Sequence, residues 1–388
     1  MNFYFLQLII IVFFFVTTAC ETSQSEKKSN SIRNISKVIV EKTVPKYAKG
    51  FSIIYENDYK LLTVQNPQNT KSEKTIFLLL PQNAEIPINV TYNQIIRTPI
   101  KSMVCTSTTH IALNSFLGTE NMISGISGGD YVSNPKVLQL IEHKKIMEVG
   151  NAEGQLNKEK IIVLSPTIIM VTGGYSQTAE KKTYQEAGIT MVDNFDWLET
   201  HPLGRAEWTK FLSYFMNKEA QAEQKFNEVE KEYLRLTNLT ENLKNKPKTI
   251  TGLSYNGTWH VSGGRSFAAQ LAKDAGANYF YKNDTTKGSV PVDLEIMYKE
   301  GLAADFWINP SSVKSKKDLL AKEQRVVDFK SFRSGNIYNN NRKRNAKGWN
   351  DYYESSIINP HLVLADLIKI FHPDLVPKHE FYYYQKLE

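Results

Sequence analysis

The residues able to do chemistry are few and mostly solitary. Gly125-Ile-Ser127-Gly-Gly129 matches the Gly-x-Ser-x-Gly pattern that presents a nucleophilic serine at a turn between strand and helix. Here Asp130-Tyr-Val-Ser-Asn-Pro135 follows, which reads as loop, so the sharp strand-to-helix elbow is not expected. Metal ligation needs converging His, Cys or carboxylate groups. His110 and His260 fall on candidate loops, but no two histidines stand four residues apart, and no metal set is expected. Cys105, within Met103-Val-Cys105, reads as a small buried hydrophobe. Ser262-Gly-Gly-Arg-Ser266 is a weak echo of a phosphate-binding loop, and no dinucleotide fingerprint accompanies it. The pattern points away from catalysis, and no resident cofactor is expected.

A second kind of chemistry, the holding of a ligand, has better candidates. Thr106-Ser-Thr-Thr-His110, Ser127-Gly-Gly-Asp-Tyr131, Gly173-Gly-Tyr175 and Tyr255-Asn-Gly-Thr-Trp259 combine glycine or small residues with aromatic or imidazole rings. Glycine lets a backbone approach a ligand closely, and an aromatic ring offers it a flat apolar surface. Thr108, His110, Tyr131, Tyr175 and Trp259 are therefore candidate ligand contacts, each with loop packing as the alternative. Arg265, Arg342 and Arg344 could meet anionic groups by charge-assisted hydrogen bonds, with a solvated surface role as the alternative. Trp349, in Trp349-Asn-Asp-Tyr-Tyr353, belongs to a polar aromatic cluster placed to close a cleft or to pack a loop.

The elements that must position these residues begin after a targeting segment. Phe3 to Val16 is an almost unbroken apolar run that closes in Thr17-Thr18-Ala19-Cys20 and turns abruptly polar. This is a signal peptide over residues 1–19, ending at a cysteine that resembles the bacterial lipobox, whose thiol is acylated. An uncleaved anchor helix is the alternative; both export the rest of the chain, lipid-anchored to a bacterial membrane through Cys20 in the first case. Residues 20–44, which after Cys20 run Glu21-Thr-Ser-Gln-Ser-Glu-Lys-Lys28, are mostly too polar to order themselves and are expected to form a tether. Once Cys20 carries lipid, Cys105 has no partner for an intramolecular disulfide. The net charge of +7 is mild for 388 residues, and the basic residues are dispersed apart from Arg342-Lys-Arg344, so no nucleic-acid partner is expected.

From Lys49 to about Ile86 the chain reads as strands, a small β-rich section. Short apolar runs then alternate with helix-length segments, first through Ile189–Val192 and again from Thr249–Leu253 onward, which implies parallel sheets covered on both faces. Between them Trp208, Phe211, Leu212, Phe215, Ala222, Phe226, Val229, Tyr233 and Leu236 recur in steps of three and four, the mark of an amphipathic helical connection that Asn217 is placed to break. The expected fold class is α/β, with two lobes, each a central mostly parallel sheet flanked by helices, joined by a long bridging helix. The expected domains are a lobe over 45–204 that includes the β-rich section, the bridge over 205–240, and a lobe over 241–388.

Three stretches together resemble one family. Asn157-Lys-Glu159-Lys-Ile161-Ile-Val-Leu164-Ser-Pro166-Thr167, His260 to Asn278 with its two Gly-containing turns, and Val292-Asp-Leu-Glu295 are similar in kind and order to the helix-bridged periplasmic binding proteins of ABC importers for ferric siderophores, haem and cobalamin. Thr167 departs from the acidic residue usual in that family. The resemblance implies a protein that is no enzyme, acts as a monomer, and captures an iron complex or cobalamin between two lobes. It also implies an ABC permease and its ATPase as partners, with Glu159 and Glu295 where the family places its docking glutamates, and a location facing the periplasm or the cell surface. A metal-ion receptor using His110 and His260, an esterase-like hydrolase, and a structural lipoprotein are the other readings.

Overall fold

The alternation of apolar runs resolves into four sheets. A computed structural model describes residues 42–69, 71–151, 155–174 and 178–388; Cys20, the signal peptide and Tyr175 lie outside them. Phe51–Tyr55 (β1), Lys60–Val64 (β2), Thr75–Pro81 (β3) and Gln94–Thr98 (β4) form the N-terminal sheet, antiparallel as far as β3 and parallel between β3 and β4. Phe51 and Ile53 alternate inward while Ser52 and Ile54 face out, as a sheet with one wet face requires.

Met103–Cys105 (β5), Ile123–Ser127 (β6), Met147–Gly150 (β7), Ile168–Thr172 (β8) and Thr190–Asn194 (β9) make a parallel sheet in the order β7-β6-β5-β8-β9. The second lobe contains Lys248–Thr251 (β10), Leu253–Tyr255 (β11), Thr258–Ser262 (β12), Asn278–Tyr279 (β13), Ser289–Val292 (β14), Phe306–Ile308 (β15), Ile337–Asn339 (β16) and Gln385–Lys386 (β17). Its main sheet runs β13-β10-β15-β16-β17, parallel except for the last pair, and β11-β12-β14 form an antiparallel sheet beside it. The run Thr249–Leu253, expected as one strand, is split at Gly252, whose φ of +79° kinks the chain between β10 and β11.

The bridge is three helices, Pro202–Ala206, Trp208–Met216 and Glu219–Thr240, with Asn217 at φ 53° making the last break. Its apolar stripe is divided between the two cores. Trp208, Phe211, Leu212 and Phe215 join Phe51, Leu62, Met103 and Val192 in the first, while Phe226, Val229, Tyr233 and Leu236 join Val363, Leu364 and Leu367 in the second. The connection is therefore part of both interiors.

Two carboxylates, Glu207 in this bridge and Glu199 just before it, hold residues 46–50. Glu207 accepts the backbone N–H groups of Lys46, Tyr47 and Ala48 at 2.7, 2.6 and 2.8 Å. Glu199 accepts those of Lys49 and Gly50, each at 2.8 Å, and the Trp208 indole N–H at 3.2 Å. Lys210, 2% exposed, lies 3.1 Å from Glu207 and 2.9 Å from Glu223. Thr43, placed in the tether expected through Val44, is buried and donates to the Glu219 carbonyl.

Removing Glu207 orphans three N–H groups and leaves Lys210 buried with one fewer counter-charge. Glu207→Ala should cost about 3–5 kcal/mol of stability, read by denaturant unfolding. A loss of under about 1 kcal/mol would mean that water replaces the carboxylate.

Candidate ligand-binding cleft

Open α/β sheets gather ligands beyond the carboxyl ends of their strands, and here that edge of the second-lobe sheet opens into a cavity of about 510 Å³. Thr251 at the end of β10, Ile308 and Asn309 at the end of β15, and Ser262 at the end of β12 line it. Gly252 is required beneath it, since a Cβ there would stand 1.9 Å from the His260 carbonyl oxygen. Phe267, Leu367, Phe371, Tyr352 and Tyr384 supply apolar and aromatic wall, and Gln68, Trp197 and Leu198 reach in from the N-terminal half.

Phe267, Tyr384 and Asn309 each have an identifiable support. Ser266 caps the helix Phe267–Asp274 by accepting from Ala269 N, which sets Phe267 at the cavity edge. The Arg205 guanidinium lies 4.2 Å from the Phe267 ring centroid, while its Nε donates to the Asp196 carbonyl at 3.2 Å. Burial pushes the Asp196 carboxyl above its usual range, and the nearby Arg205 charge opposes the shift. Tyr384 follows from Asp366, a fully buried carboxylate that accepts the N–H groups of Tyr382, Tyr383 and Tyr384 at 2.9, 2.6 and 3.0 Å. Asn309 donates through Nδ2 to the Tyr384 hydroxyl at 3.1 Å, and its buried Oδ1 has no partner. His260 and Lys287 line the cavity from exposed positions.

Several sequence-based candidates fall elsewhere. Trp259, expected as a ligand contact, is 1% exposed in β12, packed at a tilt against Trp307 and Phe329, with its indole N–H donated to the Thr251 carbonyl at 3.0 Å. It is a core residue, because strand alternation turns it inward and its neighbour His260 outward. His110 is likewise 1% exposed inside the helix Thr108–Leu117, and burial drives its pKa down to about 3, so it is a neutral core imidazole and no ligand contact. Arg265 and Arg342 are exposed and do not line the cavity; Arg344 bonds the Asn341 and Gly348 carbonyls of its own loop. Tyr175 lies outside the described residues.

Tyr131 and Trp349 do come together from the two lobes, but ring to ring, 4.2 Å apart and edge-on. They belong to an inter-lobe contact in which Asn345 donates to the Asp130 and Val132 carbonyls, both at 2.9 Å, and Lys347 pairs with Asp130. Thr108 Oγ1 stands 3.5 Å from the Tyr353 carbonyl in the same region. Glu354 accepts Ser133 N at 2.7 Å. Ser127, the serine of the Gly-x-Ser-x-Gly pattern, ends β6 before a short 3₁₀ turn and donates to the Asn151 carbonyl at 2.7 Å. Burial pushes the Cys105 thiol up, consistent with a small core residue.

Trp197 follows β9 at the same strand ends as Gly173, so the carboxyl-end rule was able to find it in the sequence. Phe267 was marked only by the cap at Ser266. Phe371 and Tyr384 reach the cavity through tertiary packing alone.

Glu354 supplies a pH test. Burial, with Asp351 adding repulsion, pushes its pKa from 4.5 up to about 8. The folded state then holds this proton in the window between those values while the unfolded state releases it, so stability present at acid pH is lost as pH rises through about 8. Glu354→Gln should flatten the stability profile between pH 5 and 8 relative to the parent, by up to about 1.4 kcal/mol per pH unit in unfolding measurements. Parallel profiles would show that Glu354 is hydrated.

The chain aligns with a lipoprotein of Methanocaldococcus jannaschii at 26% identity over 412 residues, covering 98% of this chain and 96% of that one. A second lipoprotein of that organism is 26% identical over 344 residues, covering 86% and 83%. Among solved structures, a periplasmic binding protein from Veillonella parvula superposes with a TM-score of 0.57 at 12% identity, covering 79% of this chain and 96% of that chain. A possible iron-binding, periplasmic solute-binding protein from Staphylococcus epidermidis gives 0.55 at 16%, covering 70% and 99%. A periplasmic haem-binding protein from Pseudomonas aeruginosa gives 0.53 at 17%, covering 71% and 94%. At these identities the likeness is one of fold. Residues 111–340, more than half of the chain, match the family described as periplasmic binding protein. The bridged two-lobe α/β architecture and the family match agree: the chain belongs to the periplasmic binding proteins, which bind solutes and are not enzymes.

Proposed function

We propose that this protein captures an iron complex, a ferric siderophore or haem, in the cavity of about 510 Å³ and delivers it to an ABC permease whose ATPase drives import. The cavity itself carries the reading. Its volume lies within the roughly 300–1,000 Å³ of small-molecule sites, and it combines aromatic walls with a few polar groups, as such sites do. Family membership and the iron- and haem-binding descriptions of two structural neighbours support the choice of ligand. In this reading 45–204 and 241–388 are the working lobes and 205–240 holds them.

Delivery requires a membrane location and a docking surface. Cys20 is the proposed lipid anchor, a reading supported by the two lipoprotein relatives. Glu159 and Glu295 are the proposed docking residues. Each is exposed in the first turn of its helix, Lys158–Leu164 or Leu294–Ala303. Exposed apolar side chains stand beside them, Ile162 and Val163 near the first and Ile296 next to the second, which suits a charged contact with an apolar surround.

Titration with haemin, ferrioxamine B and cobalamin, followed by intrinsic fluorescence or calorimetry, tests the cavity. Trp197→Ala and Phe267→Ala should each weaken the best ligand by more than about tenfold with little change in melting temperature. Parent-like affinity in both variants, or no binding across the panel, sinks the reading. In cells, Cys20→Ser should move the protein out of the membrane fraction. Glu159→Arg with Glu295→Arg should abolish uptake while ligand affinity stays intact; unchanged uptake would reject these two as docking residues.

A further inference from the structure

The stretch Ser262-Gly-Gly-Arg-Ser266, the weak echo of a phosphate-binding loop, has its main-chain N–H groups from Gly263 to Ser266 already committed. Gly263 N donates to the Gly288 carbonyl at 2.8 Å, Gly264 N to the Asp284 carboxylate at 3.2 Å, Arg265 N to the Thr286 carbonyl at 3.0 Å and Ser266 N to the Gly263 carbonyl at 3.0 Å. Three of these four bonds hold the segment 284–288, so the loop grips chain and not an anion. Asp284 closes the clasp by accepting Thr286 N at 2.8 Å and the Thr286 hydroxyl at 3.2 Å. Both glycines are required for so close an approach: a Cβ on Gly263 would stand 2.3 Å from the Thr286 carbonyl oxygen, and one on Gly264 2.3 Å from that of Asp284. Beyond Gly288, Ser289 opens β14 and pairs with Ser262 across the antiparallel sheet. The residue fixed between held Thr286 and held Gly288 is Lys287, exposed at the edge of the cavity that it lines.

We infer that Lys287 makes this a site for iron complexes whose periphery carries a carboxylate, and that the Gly263-Gly264 loop positions it for that role. The inference rests on the cavity being the ligand site. Among the described residues lining the cavity, Lys287 is the one lysine or arginine, His260 is the other basic side chain, and there is no aspartate or glutamate. A lysine ammonium has three donors and no acceptor, so its preference for an anion does not depend on which way it is turned. Its backbone is pinned while its four-carbon stem stays flexible, which lets the charge find a carboxylate at the edge of ligands of different outline. The aromatic wall of Phe267, Tyr352, Phe371 and Tyr384 brings no competing negative charge, and beside apolar surface an ion pair is worth more than in open water. A carboxylate there gains a charge-assisted hydrogen bond, and its neutral ester or amide counterpart does not. The exposure of Lys287 keeps the preference modest.

Two pairs of ligands differ in peripheral charge around one iron shell: N-succinyl against N-acetyl ferrioxamine B, and haemin against its dimethyl ester. On whichever shell the full chain binds, the carboxylate member should bind about 3- to 10-fold more tightly. Lys287→Met keeps the stem and removes the charge, and should bring the two members within about twofold by weakening the anionic one alone. Asp284→Ala, which frees the segment bearing Lys287, should shrink the same ratio while the uncharged member binds as before. A parent that does not prefer the carboxylate member, or a preference that survives in Lys287→Met, overturns the inference. A parent-like ratio in Asp284→Ala overturns the positioning role of the loop. Trp197→Ala and Phe267→Ala, run in parallel, should weaken both members of a pair, and when they do the cavity reading stands whatever the Lys287 variant shows. Unchanged affinity in both of those variants, or no binding of either shell, brings down the cavity reading and this inference with it.

Discussion

A buried carboxylate surrounded by backbone N–H groups is the interaction on which this structure depends most. An ionised carboxylate has no donor of its own and loses its hydration on burial, so it needs several donors to be tolerated. Glu207, Glu199 and Asp366 meet that need with runs of consecutive main-chain N–H groups at Lys46–Ala48, Lys49–Gly50 and Tyr382–Tyr384. A run of adjacent N–H groups cannot slide past a fixed carboxylate without losing several charge-assisted bonds together. Residues 46–50 and 382–384 are therefore held in register against the rest of the fold. The first clasp sets the approach to β1 and, beyond β2, the turn that bears Gln68; the second sets Tyr384 in the cavity wall.

The lobes are coupled at two further places. The bridge divides its aromatic stripe between both cores, so a rotation about it disturbs packed Trp208 and Phe211 on one side and Phe226 and Tyr233 on the other. Close-packed interiors resist such continuous deformation. The contact of residues 130–134 with 345–354 adds Asn345, Glu354 and the Tyr131–Trp349 pair as a second tie. A wide hinge motion would have to break both.

Periodicity made the architecture legible, because the alternation of apolar runs and helix-length segments survives into the fold. The bridge was readable from its three-and-four spacing, including the break at Asn217, since asparagine accepts the left-handed φ of 53°. The site was less legible. Tyr255 to Trp259 carries the Asn256-Gly257 signal of a two-residue hairpin turn, and reading the whole stretch as loop ended the turn too late. With β12 starting at Thr258, alternation sends Trp259 to the core and His260 to the cavity. His110 was misplaced for a related reason: Ser107 caps the helix, so a residue assigned to a loop is in its first turn. Tyr384 and Phe371 could not be found by any local pattern, because the Asp366 clasp that brings the C-terminal segment to the cavity is a long-range contact.

The cavity is also unequal in its walls, and this bears on how ligand and closure can be linked. A ligand favours one arrangement of a protein over another only through contacts made better in that arrangement. Most of the wall here, from Thr249 to Tyr384, belongs to the second lobe. The contacts sensitive to the separation of the lobes are Trp197, Leu198 and Gln68. Trp197 is 40% exposed, so it has apolar surface still to bury. Among the described residues, those three are where ligand contact can couple to the separation of the lobes, although they are a small part of the lining.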